Sequence, residues 1–81
     1  MGRAKAGVLK KRSFSLVGHR TSVALEPAFW DAVSAIAATR GMTLAALVAG
    51  VDAAREPGQS LSSSLRILAL DEAAKKNPPS H

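Results

Sequence analysis

Six side chains near the start of the chain carry most of the chemistry that its residue types allow. Arg20, Ser22 and Ala24 recur at every second position of Arg20-Thr21-Ser22-Val23-Ala24-Leu25-Glu26-Pro27. On an extended chain they share one face, while Val23 and Leu25, with Thr21 behind them, take the other. This is the period of a half-buried strand. A short distance upstream, Lys10-Lys11-Arg12 places three cations in a row. A single short strand is not stable alone and needs a partner strand. If the partner is the same strand of a second copy, the outer face becomes a two-stranded ribbon, whose width fits the major groove of DNA.

The distribution of charge points the same way. The 81-residue chain carries a net charge of +5. Residues 1–25 hold Arg3, Lys5, Lys10, Lys11, Arg12 and Arg20 and no acid, whereas residues 26–81 hold five basic and six acidic groups. All the excess therefore lies at the N-terminal end, where it favours a polyanion: nucleic acid first, an anionic membrane second. An arm of this kind can also be no more than a solvated tail, so the charge alone does not decide. Cysteine is absent, which removes disulfides and thiolate metal sites, and two histidines, His19 and His81, are too few for a zinc site of the usual kind. No cofactor or metal is expected. With no paired carboxylates, nucleophile–base set or glycine-rich phosphate loop, the chain does not read as an enzyme. The longest apolar tract, Met42 to Val51, is too short to span a bilayer. No apolar segment follows the early charges as secretion requires, and the clustering of Lys10-Lys11-Arg12 argues against a transit peptide. A cytoplasmic protein with no membrane association is expected.

The elements that must hold this row can be placed from the pattern. Residues 1–18 read as a basic N-terminal arm, loose through residue 12. Ser13 to Val17 alternates again, with Phe14 and Leu16 on one side, and forms either an extra edge strand at 13–17 or a packed arm. At Gly18 the parity of the apolar positions switches from even to odd, which marks a bulge or turn. The folded domain covers 19–76: a strand at 19–26, then helices at 27–40, 43–56 and 61–76, with a tail at 77–81. Pro27 suits the first turn of the first helix. Phe29, Val33 and Ile36 form its apolar face, Trp30 widens it as core rather than as a ligand platform, and Gly41 terminates it. Asp31 near the start and Arg40 near the end suit the helix dipole. Thr43 is a good N-cap for the second helix, which buries Leu47, Val48 and Val51. Gly50 inside that helix suggests a close helix crossing. Ser60 or Ser62 caps the third helix, in which Leu65 and Leu68 belong to the buried stripe and Ile67 and Leu70 widen it almost all round.

In order, GHRTSVALEPAFWDAV, RGMTLAALVAGVDAAR and LSSSLRILAL resemble the ribbon–helix–helix (MetJ- and Arc-like) family of DNA-binding proteins, and most closely a short bacterial subgroup with a third C-terminal helix. The resemblance covers residues 18–70. It implies a mainly α fold with one short β-strand, in which an intertwined homodimer pairs two strands as an intermolecular antiparallel ribbon. Val23, Leu25, Phe29, Trp30, Val33, Ile36, Leu47, Val48, Val51, Leu65 and Leu68 would form the dimer core. The resemblance also implies that the outward strand residues Arg20, Ser22 and Ala24 read base edges. The chemistry agrees: Arg bonds a guanine bidentately, Ser donates or accepts, and Ala touches a thymine methyl. The backbone amides at Thr43 and Leu44 would hold a phosphate, as free amides at a helix start favour an anion. Lys10, Lys11, Arg12 and His19 are expected to meet further phosphates. Thr21 departs from the family pattern at an inward position that is often apolar, and Ala24 at an outward one that is often polar.

The partners expected are double-stranded DNA, a second copy, and a dimer of dimers on DNA. The function expected is a sequence-specific transcriptional regulator, a repressor or autoregulator. Two alternatives use the apolar third helix: an antitoxin-type DNA-binding partner of a toxin, and a pure protein-interaction module.

Overall fold

Val17 and Gly18 decide the architecture of the N-terminal half. In a computed structural model, which describes residues 8–76, they form a two-residue turn between two antiparallel strands, β1 (Lys10–Leu16) and β2 (His19–Leu25). Gly18 takes φ +82°, the left-handed value that the third position of a type II turn demands and that a side chain resists. The strand holding Arg20 thus has a partner within its own chain. Of the segment 13–17, the residues through Leu16 are strand, and that strand begins earlier than expected, at Lys10. The expectation of a loose arm through residue 12 is corrected: Lys10, Lys11 and Arg12 pair with Leu25, Ala24 and Val23. What holds them is Trp30. Its ring is almost fully buried, so its indole N–H needs an acceptor, and it donates to the Lys10 carbonyl at 2.8 Å. Residues 1–7 and the tail at 77–81 lie outside the described residues.

Three helices follow: α1 (Pro27–Thr39), α2 (Leu44–Ala54) and α3 (Leu61–Lys76). The first two stop one and two residues short of the expected ends, leaving Arg40 and Arg55 as C-caps. Asp31 lies just past the first turn of α1, and Arg40 stands at its C-cap, at the negative end of the helix. Gly41, at φ +69°, closes α1 in a Schellman motif: Met42 N–H reaches Ala37 O at 2.9 Å and Gly41 N–H reaches Ala38 O at 3.1 Å. Across this turn the chain bends by 99° into α2. Ser60, rather than Ser62, caps α3, its Oγ accepting from Ser63 N–H at 3.1 Å.

The core lies between the inner face of the hairpin and the helices. Phe14, Leu16, Val23 and Leu25 meet Trp30, Val33, Ile36, Leu47, Val48, Leu61 and Leu65, with Phe29, Val51 and Leu68 half-buried against them. The residues expected in a core are therefore packed within one chain. Two ion pairs tie α3 to both ends of α1: Arg66 to Glu26 and Arg40 to Glu72, each at 3.0 Å. Gly50 is exposed, and a Cβ there would meet open space, so the expected close crossing does not occur within the chain. No single helix among the described residues is long and apolar enough to cross a membrane.

Candidate nucleic-acid interface

The register of the hairpin sorts every polar side chain on it by face. Directly opposed residues in an antiparallel pair point the same way. Phe14 with Thr21, Arg12 with Val23, Lys10 with Leu25 and Leu16 with His19 belong to the core side. Ser15 with Arg20, Ser13 with Ser22 and Lys11 with Ala24 form the outer side. The outer side is thus a plate of two cations, three hydroxyls and one methyl. Its members are all exposed except Ala24, which is half-buried.

Within the plate, the Arg20 guanidinium donates from Nη1 to Ser15 Oγ at 3.0 Å, and the hydroxyls of Ser13 and Ser22 lie 3.2 Å apart. At its far edge the Ser62 hydroxyl of α3 donates to the Ala24 carbonyl at 3.4 Å, which places that end of β2 against the third helix.

The residues expected at the site separate into three groups. Arg20, Ser22 and Ala24 share one face, and Lys11 joins them. Lys10, Arg12 and His19 lie on the opposite side of the strands. Arg12 sets its guanidinium 5.3 Å over the Trp30 ring, a cation–π contact that gives it a packing role and a fixed place. Thr43 and Leu44 stand at the start of α2. The Thr43 hydroxyl is occupied as a cap, accepting from Ala46 N–H at 3.0 Å. Ser13 and Ser15 are absent from the site that the sequence suggests. The signal for them is the two-residue turn, which sets Ser15 opposite Arg20 once Val17-Gly18 is read as its centre.

Charge is segregated as well as placed. Every ion pair among the described residues lies at or beyond Glu26: Glu26–Arg66, Arg40–Glu72, Lys75–Glu72 and Asp52–Arg55. The Glu26 carboxyl is held below its usual range, first by a hydrogen bond from its own backbone N–H and then by Arg66. Burial pushes Glu72 up, but Lys75 and Arg40 together outweigh it and leave its carboxyl lowered. Three of the six acids, Glu26, Asp52 and Glu72, are thus paired with basic groups of the helical half, and the hairpin's Lys10, Lys11, Arg12 and Arg20 are in none of these pairs.

No curated protein and no solved structure matches the chain. A family profile described as a ribbon-helix-helix domain matches residues 9–73, a span that opens just before β1 and closes within α3. By that match and by its strand–helix–helix order, the chain belongs to the ribbon–helix–helix domain family.

Proposed function

We propose that the chain is a sequence-specific transcriptional regulator that acts as a dimer and sets the outer face of its β-ribbon in the major groove of double-stranded DNA. Domains of this family are in general DNA-binding regulators or antitoxins. The observation that carries the reading is the plate itself: Lys11 and Arg20 among three serines, with no acid on either strand. Two adjacent strands lie about 4.8 Å apart, narrow enough for a groove about 12 Å wide. Arg20 and Ser22 are the base-reading groups, Ala24 offers a methyl, and Lys11 with the α2 amides at Thr43 and Leu44 meets phosphates. A bound dimer would repress by covering a promoter.

One feature supports a second copy. A shallow groove lined by Arg40, Met42, Leu47, Gly50, Val51 and Ala54 runs along α2, and Gly50 there lets another backbone approach closely. Selection from a random pool of duplex DNA tests the function. Enrichment of a twofold-symmetric site is expected; a pool that remains random after repeated rounds contradicts it.

A further inference from the structure

The family's reading groups come from one strand, yet here that strand lies beside β1, and the register puts Ser15 directly opposite Arg20 on the exposed face. Opposed side chains on one face have Cβ atoms about 5 Å apart. Arg20 Nη1 spans that gap to Ser15 Oγ at 3.0 Å. A guanidinium carries about five N–H donors in a planar fork, so one bond to Ser15 leaves the rest for another acceptor. An arginine held this way has fewer rotamers to give up when it meets a base edge. Ser13 and Ser22 continue the same row one step along, hydroxyl to hydroxyl.

We propose that the reading face of the ribbon includes β1 as well as β2, with Ser15 a positioning residue that holds the Arg20 guanidinium for a base edge. The inference rests on the DNA-binding function proposed above. Ser15 contributes a hydroxyl that Arg20 can lean on from the strand beside it. A hydrogen bond of this kind is modest in water, so its effect is on selectivity rather than on whether DNA binds at all.

The test uses the full chain, a duplex selected by the wild type and a scrambled duplex, with the ratio of the two affinities as readout. Ser15→Ala, Ser15→Thr and Arg20→Ala are compared, each first shown to keep the wild-type thermal midpoint. Ser15→Ala should lower the ratio about 3- to 10-fold, the size of one hydrogen bond. It should also broaden the base preference at the step that Arg20→Ala abolishes. Ser15→Thr, which keeps a hydroxyl and suits a strand, should restore both. If Arg20→Ala collapses the ratio but Ser15→Ala leaves it at the wild-type value, Ser15 has no positioning role and the DNA-binding function still stands. If Arg20→Ala leaves the ratio unchanged, Arg20 reads no base and the inference falls with that reading.

Discussion

Arg20 and Lys11 share the outer face of the hairpin but should do different work there. Arg20 has a fixed neighbour and a planar fork; Lys11 is a point charge on a flexible stem, opposite a methyl. Arg20→Ala is expected to weaken binding to the preferred site by about 1–3 kcal/mol for each base edge it reads, and scrambled DNA by much less. Lys11→Ala should weaken both duplexes alike and reduce the salt slope by about 0.9 for each phosphate that Lys11 neutralises. Titrations at several salt concentrations separate the two. Equal effects on both duplexes for Arg20→Ala would make it a phosphate ligand. Of these residues, the row Arg20–Ser22–Ala24 is legible from alternation alone. The place of Arg12 is not, because it depends on Trp30, which is distant in sequence and close in the fold. Its even number, shared with Phe14 and Leu16, is the one hint that it faces inward.

Among the elements, the helices are the most legible, since each has its own apolar spacing and its own punctuation in Pro27, Gly41, Thr43 and Ser60. The first strand is not, because Lys10-Lys11-Arg12 has no apolar alternation; the Trp30 hydrogen bond and the pairing with β2 hold it in place. The third helix should behave as two faces. Leu65 is fully buried, so Leu65→Ala should destabilise by about 2–5 kcal/mol in urea unfolding. Leu70 is 60 % exposed, and Leu70→Ala should stay within about 0.5 kcal/mol. Similar values for both would place Leu70 in an interface. The tie between α3 and the start of α1 should be sensitive to acid. The Glu26 carboxyl titrates below its ordinary value, so the stability it adds is complete above that value and is lost as the pH falls through the folded one. The thermal midpoint should fall as pH is lowered from about 5 to about 3, and Glu26→Gln should make that fall shallower. An identical slope in the variant would show that Glu26 makes no such contribution.

For the whole molecule, the cations of the hairpin enter none of the ion pairs of the helical body, and the exposed groove along α2 favours a second copy. Light scattering at micromolar concentration should give about twice the 8.4 kDa chain mass; a folded monomer would contradict the dimer. A strand with no partner in its own chain would have to borrow one from a second copy. The hairpin removes that reason for dimerising. The same molecule carries a rival surface, since Ile67 and Leu70 stand exposed on α3 as a protein-interaction module would need. Amide chemical shifts followed through a titration with duplex DNA decide between them. The largest changes should fall on Lys11, Ser13, Ser15, Arg20, Ser22 and Ala24, with further changes at Thr43 and Leu44. A hairpin whose amides stay unchanged at saturating DNA would contradict the assignment of the ribbon as a DNA-binding surface.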